Sequence, residues 1–225
     1  MNVASANRAA AAALFDALYA GGVRHVCISP GSRSTPLVLA VASQSRFRCW
    51  VITDERSSAY FALGLARATG DAVAVITTSG TAVANLVPAA SEAMRARVPL
   101  VFVTADRPRE TRDSGAPQTI AQAGALFSHV RFQADLVTPF AGQADLTRYY
   151  RAVAARALAV ARGIEPGPVH LNVPLREPLL DERDLQGSPE RERAVSEAVA
   201  HVRVERGELG LGEALAGELA EQLSR

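Results

Sequence analysis

The sequence predicts a three-layer α/β/α sandwich around a six-stranded, mainly parallel sheet. Three observations carry this expectation. Strand-like and helix-like segments alternate about six times before residue 180. The strands, such as Ala72–Thr77 and Pro99–Thr104, are continuous apolar runs rather than alternating ones, as expected where helices cover both sheet faces. Each of the first four strands ends on a polar corner that opens a helix or a loop, the βα pattern of a parallel sheet.

The elements follow in order. Residues 5–20 form a helix that Ser5 can cap, with Leu14, Phe15, Leu18 and Tyr19 on its apolar face and Gly21-Gly22 as its stop. Arg24–Ile28 is a short strand. Ser29-Pro30-Gly31-Ser32-Arg33-Ser34-Thr35-Pro36 then turns into a helix that runs to about Ala42, with proline in its first turn. Strand 48–52 meets a sharp corner at Asp54-Glu55 and a helix that ends near Gly70. Strand 72–77 leads through Thr78-Ser79-Gly80-Thr81-Ala82 into a helix with Val83, Leu86, Val87, Ala90 and Met94 on one face. Strand 99–104 gives way to a long polar loop, Ala105–Gln118, and a short helix. An extended run at Val130–Val137, a helix over 145–162 and a last strand at Pro168–Val173 complete the pattern.

Residues 1–180 therefore read as one domain. Residues 181–206 read as a linker, which begins in the charge-dense run Asp181-Glu182-Arg183-Asp184. Residues 207–225 form an amphipathic helix with Leu211, Leu215, Leu219 and Leu223 on one face. It is expected to be the first helix of a further domain that is otherwise missing.

Composition narrows the function classes. The 225 residues are 48% hydrophobic and 21% charged, as in a globular protein with a sizeable core. A formal net charge of +1 and the lack of any long basic run argue against a nucleic-acid groove. No apolar segment has membrane-spanning length, and the N-terminus does not read as a secretory signal. Cys27 and Cys49 both fall in predicted strands, so two buried free thiols are expected, in keeping with a reducing cytoplasm. No residue set is assigned to a metal.

In a parallel sheet, ligands bind beyond the carboxyl ends of the strands. Four corners fall there: Ser32/Arg33, Asp54/Glu55, Ser79/Gly80/Thr81 and Asp106/Arg107. Glu55 is either an ordinary first-turn acid, with Asp54 as cap, or a buried acid that touches a ligand nitrogen. Arg33 opposes a helix dipole, and beside Ser32 it makes an anion site or a solvated cation. Gly80 allows close approach of backbone to ligand, or simply a tight turn with Thr81 as cap. Neither the P-loop nor the dinucleotide fingerprint is present, which disfavours a generic nucleotide-binding domain. In the 105–118 loop, Arg107 lies nearest the shared crevice, Arg109 and Arg112 are expected to be surface charges, and Gln118 could point either way. The four histidines, His129 and His170 among them, receive no role.

Taken together, Ile28–Leu37, Asp54-Glu55-Arg56-Ser57, Thr78–Ala82, Thr104–Pro108, Gly115–Gln118 and Gly167–Pro174 occur in an order that closely resembles the N-terminal domain of the SEPHCHC synthases. These are thiamine-diphosphate enzymes of menaquinone biosynthesis, and the likeness covers about residues 5–180. The resemblance implies a thiamine-diphosphate fold of the pyrimidine-binding type and a reaction. The family decarboxylates 2-oxoglutarate and adds the succinyl unit to isochorismate, giving 2-succinyl-5-enolpyruvyl-6-hydroxy-3-cyclohexene-1-carboxylate. It implies that Glu55 holds the cofactor's aminopyrimidine and shares a proton with it, with Gly80, Thr81 and Asn85 as further cofactor contacts. It also implies that Ser32, Arg33, Arg107 and Gln118 hold the carboxylates and hydroxyl of isochorismate, two arginines being the natural complement of a dicarboxylate.

The family holds the diphosphate and Mg²⁺ (or Mn²⁺) through a Gly-Asp-Gly segment of another domain, which comes from another subunit of a dimer or tetramer. This sequence contains no Gly-Asp-Gly. The chain by itself is thus expected not to turn over. Two other readings stay open: a truncated, non-catalytic binding or dimerisation domain, and another thiamine-diphosphate 2-oxoacid enzyme. The Ser-Pro-Gly-Ser-Arg-Ser corner argues against the second, since a 2-oxoacid acceptor does not need that anion site.

Overall fold

The computed structural model describes residues 2–140, 146–181, 204 and 210–224. The sheet forms from β1 (His25–Ile28), β2 (Arg48–Val51), β3 (Val73–Thr77), β4 (Leu100–Asp106), β5 (Phe132–Asp135) and β6 (Val169–Pro174). Their order is β2-β1-β3-β4-β6-β5, and every pairing is parallel. The expected α/β/α architecture is the one observed.

The continuous apolar runs have a direct explanation. Ala74 and Ile76 of β3 face one core, with Val101 and Val103 of β4. Val73 and Val75 face a second core, with Leu100 and Phe102. Side chains alternate across the sheet, so two covered faces require two apolar sets in one strand. The first core is roofed by α1 (Val3–Ala20), α2 (Thr35–Ala42) and α6 (Leu146–Ala161), through Leu14, Phe15, Leu18, Leu37, Tyr150 and Leu158. The second is roofed by α3 (Glu55–Thr69) and α5 (Val87–Ala96), through Ala59, Leu63, Ala89 and Ala93.

Strand order fixes where the site lies. From β1 the chain moves to β2 on one side, then returns past β1 to β3 and continues to β4 on the other. The switch therefore falls between β1 and β3. In open parallel sheets such a switch is where a ligand crevice forms, because the connections leave in opposite directions. The backbone is tight at this point. A Cβ on Gly31, after β1, would collide with the side chain of Thr78, after β3.

Several local expectations are corrected. Ser5 does not cap α1. Asn2 does, accepting from the Ser5 N–H, while the Ser5 side chain returns the bond as the third helical residue of a capping box. The helix after β3 is broken into α4 (Thr81–Ala84) and α5, because Pro88 has no N–H to continue the ladder. Gly80, not Thr81, holds the cap position of α4. The short helix after Gln118 is replaced by two 3₁₀ turns, Gln122–Gly124 and Phe127–His129. Cys49 is exposed, not buried, because β2 is the sheet's edge strand; Cys27, in the strand beside it, is buried. Burial raises the Cys27 thiol to about 12.

Most of the expected 181–206 linker lies outside the described residues, as do 207–209 and Arg225 of the expected terminal helix. Of the described rest, Glu213–Leu223 form α7, on which Leu215, Leu219 and Leu223 are exposed, whereas Leu211, expected on the same face, precedes the helix, which starts after Gly212. Among the described residues, no helix is long and apolar enough to cross a membrane.

Candidate functional site

Four strand ends supply the site. After β2, Asp54 caps α3 by accepting from the N–H groups of Arg56 (2.9 Å) and Ser57 (3.1 Å). The Arg56 guanidinium and the Ser57 N–H hold the Asp54 carboxyl down, at about 2. The cap fixes the first turn, and with it Glu55. The Glu55 carboxylate is half-buried and accepts from Asn85 Nδ2 at 3.0 Å. Asn85 is its only hydrogen-bond partner among the described residues. One oxygen is thus anchored, while the other accepts no hydrogen bond among the described residues. Asn85 sits at the end of α4, so this bond ties the β2 corner to the β3 corner.

After β1, Ser32–Ser34 form a 3₁₀ turn rather than the first turn of α2. Ser32 is exposed. The Arg33 side chain is only 11% exposed and reaches across the switch point toward the end of β6. Its Nη1 donates to the Leu175 carbonyl (3.0 Å) and its Nη2 to Glu177 (2.6 Å). The two-way expectation for Arg33 resolves against a freely solvated cation.

After β4, Arg107 Nη1 donates to Ser79 Oγ (2.7 Å) and to the Gln118 carbonyl (3.1 Å). Both partners are neutral. Burial and the nearby Arg33 charge lower the Arg107 pKa. Ser79 Oγ donates in turn to the same Gln118 carbonyl, and Gln118 Nε2 donates to the Ser79 carbonyl (3.2 Å). Ser79, Arg107 and Gln118 therefore form one closed knot beside Arg33. Gly80 allows it: its backbone stands at φ 82°, ψ −142°, with Gln118 directly against it. Thr81 is exposed and lies at the start of α4.

Behind this knot is a buried polar network that sequence reasoning missed. Gln122 accepts from the Gly80 N–H (2.9 Å) and donates to the Ala105 carbonyl and Asn172 Oδ1 (both 2.8 Å). Asn172 donates to Asp106 Oδ2 and Asp135 Oδ1 (both 2.8 Å). Arg112, expected at the surface, is instead folded inward, with a side chain 17% exposed. It pairs with Asp106 (2.9 Å) and in bidentate fashion with Asp135 (2.7 and 2.9 Å). Burial raises the Asp106 pKa despite these partners. Asp135 is also pulled upward by burial, but the bonds from Arg112 and Asn172 outweigh it and hold its carboxyl below the ordinary value. Arg109 stays at the surface as expected, with a side chain 80% exposed.

One signal could have found the network: Asn172 and Asp106 interrupt otherwise apolar strands, and buried polar groups demand partners. Gln122 gave no comparable sign. His170 is buried beside Thr104 (2.7 Å), and burial pushes its pKa down to about 4, as for a neutral structural imidazole. Among the described residues, no group of three His, Cys, Asp or Glu side chains is arranged to hold a metal.

An anchored acid and two neighbouring guanidiniums thus gather at the carboxyl ends of a parallel sheet, the edge at which α/β domains bind ligands. Residues 8–125, more than half of the chain, match the family described as thiamine pyrophosphate enzyme, N-terminal TPP binding domain, and the chain belongs to that family. It is similar to 2-succinyl-5-enolpyruvyl-6-hydroxy-3-cyclohexene-1-carboxylate synthases. The protein of that name from Chloroflexus aurantiacus is 55% identical over 172 residues, 76% of this chain and 29% of the relative. That from Geobacillus kaustophilus is 49% identical over 214 residues, 95% of this chain and 36% of the relative. That from Halorubrum lacusprofundi is 51% identical over 189 residues, 84% and 30% respectively. The chain thus spans about a third of the length of these relatives.

Proposed function

We propose that residues 1–180 are the pyrimidine-binding domain of a SEPHCHC synthase, followed by a linker over 181–206 and the first helix of a middle domain over 207–225. The carrying observation is the pairing of Arg33 with an Arg107 that has only neutral hydrogen-bond partners, next to the Glu55 corner. Two partly buried guanidiniums at one switch point suit a dianionic acceptor better than a neutral one. The relatives are named for a product that carries a succinyl group on an enolpyruvyl-bearing cyclohexene carboxylate, which suits isochorismate as that acceptor and 2-oxoglutarate as the donor.

The residues fit the cofactor. A carboxylate with one oxygen held by an amide and the other open can bond a ring nitrogen and share its proton. In this reading Glu55 performs that task, Asn85 orients it, and Gly80 and Thr81 let the backbone approach. When bound, thiamine diphosphate supplies the carbon centre at which 2-oxoglutarate loses CO₂ and from which the succinyl unit passes to the acceptor. Ser32, Arg33, Arg107 and Gln118 hold and orient isochorismate through its carboxylates and hydroxyl. The diphosphate and its Mg²⁺ or Mn²⁺ would be held by residues beyond these 225, contributed by a second subunit of a dimer or tetramer. A cytoplasmic location is consistent with free thiols at Cys27 and Cys49.

The test is Arg33→Ala in the complete synthase. Loss of a charge-assisted contact should raise KM for isochorismate about 10–100-fold, with KM for 2-oxoglutarate changed less than about twofold. Equal effects on both substrates would remove the acceptor assignment. A second expectation concerns Glu177, which is 70% exposed and competes for Arg33. An exposed pair is weak, so Glu177→Gln should lower KM for isochorismate by no more than about fivefold. Steady-state kinetics reads the direction, and a rise would mean that Glu177 helps to place Arg33 instead.

A further inference from the structure

Arg107 has a carboxylate as its sequence neighbour, yet makes no ion pair with it. Asp106 Oδ1 accepts from the Arg107 backbone N–H (2.7 Å). Asp106 Oδ2 accepts from Asn172 Nδ2 (2.8 Å) and lies 2.9 Å from Arg112 Nη2. Both oxygens are therefore occupied, and the residue is buried to 1% exposure. Asp135, the other acid in the network, is held by both Nη atoms of Arg112. Arg112 also grips the strand end itself, since its Nε donates to the Arg107 carbonyl (3.2 Å). The outcome is a division of labour between two arginines five residues apart. One takes the protein's own acids, and the other is left with a hydroxyl and a carbonyl.

A guanidinium beside a free, buried carboxylate would pair with it, because an uncompensated buried charge is costly. We propose that Arg112 is a positioning residue that, by claiming Asp106 and Asp135, keeps the Arg107 guanidinium free of internal carboxylates and available to a carboxylate of the acceptor. This rests on the reading of Arg107 as an acceptor ligand. It adds a residue that never touches the ligand, and a reason why a loop with three arginines also needs Asp106 and Asp135.

The experiment uses the complete synthase with thiamine diphosphate and Mg²⁺, and compares four proteins: wild type, Arg107→Ala, Arg112→Met and the double variant Asp106→Asn/Arg112→Met. Arg107→Ala should raise KM for isochorismate at least about tenfold. If it does not, the acceptor reading itself fails, whatever Arg112 does. Arg112→Met frees Asp106 to capture Arg107 and should raise the same KM about tenfold, with KM for 2-oxoglutarate within about twofold. In the double variant the freed acid is neutral, while Asp135 keeps Asn172 and Arg109. KM for isochorismate should then return to within about threefold of wild type. A purely structural role for Arg112 would leave the double variant as impaired as the single one, and that result overturns the proposal. So does an unchanged KM in Arg112→Met. If Arg112→Met does not fold, the double variant decides alone: near-wild-type KM supports the proposal, and a tenfold rise refutes it.

Discussion

Replacing Glu55 with Gln is expected to lower kcat by about 10²–10⁴-fold, the usual contribution of a positioned proton-sharing group, while the domain keeps its fold. The amide can still accept from Asn85 Nδ2, so the bond that joins the β2 and β3 corners survives. Asp54 still caps the helix through Arg56 and Ser57. What disappears is the carboxyl's capacity to take or return a proton. Removing a first-turn negative charge also costs about 0.3–1 kcal/mol of helix-dipole stabilisation, a shift of only a few degrees in the unfolding midpoint. Single-turnover decarboxylation of 2-oxoglutarate, with circular dichroism as the fold control, checks both halves. Retention of more than about a tenth of the wild-type rate would reduce Glu55 to the ordinary helix-start acid that its position alone also allows.

The second large effect is expected from Gly80→Ala. At φ 82° and ψ −142° the backbone is in a region open essentially to glycine. A Cβ there would stand 2.8 Å from Gln118 Cγ and 2.9 Å from the Gln118 carbonyl oxygen. The carbonyl is backbone and cannot rotate away, and it is the acceptor for both Ser79 Oγ and Arg107 Nη1. Strain of this kind costs about 1–3 kcal/mol, which lowers the midpoint of a domain this size by roughly 3–10 °C. Displacing Gln118 should also loosen Arg107 and raise KM for isochorismate. A midpoint within about 1 °C of wild type would mean that the 118 segment can move aside freely, and that the knot is not rigid.

The two variants differ in what they probe. Glu55 is held by local structure: a capped helix start, legible in Asp54-Glu55-Arg56-Ser57. Its hydrogen-bond partner was not legible there. Asn85 supplies that partner only because Pro88 breaks the following helix and leaves Asn85 at the end of a four-residue turn. The loop over 105–118 shows the limit more sharply. Arg107, Arg109 and Arg112 look alike in sequence, and closeness to the strand end separated only the first. That Arg112 turns inward depends on Asp135 and Asn172, which arrive from β5 and β6 far along the chain. Cys49 failed for a related reason: a strand's apolar run says nothing of whether the strand ends up at the sheet's edge.

The repeated strand-corner-helix pattern, the doubly apolar strands and the ordered corner motifs were enough to establish a parallel α/β domain, its family and the side of the sheet on which the candidate site residues gather. Those features are local, set by side-chain alternation, capping and turn chemistry within a few residues. Strand order, the switch point between β1 and β3, and the distribution of acids among the arginines belong to the tertiary structure alone. Each depends on which buried polar group meets which partner across long sequence separations, and a buried charge is settled by the partners that surround it rather than by its neighbours in the chain.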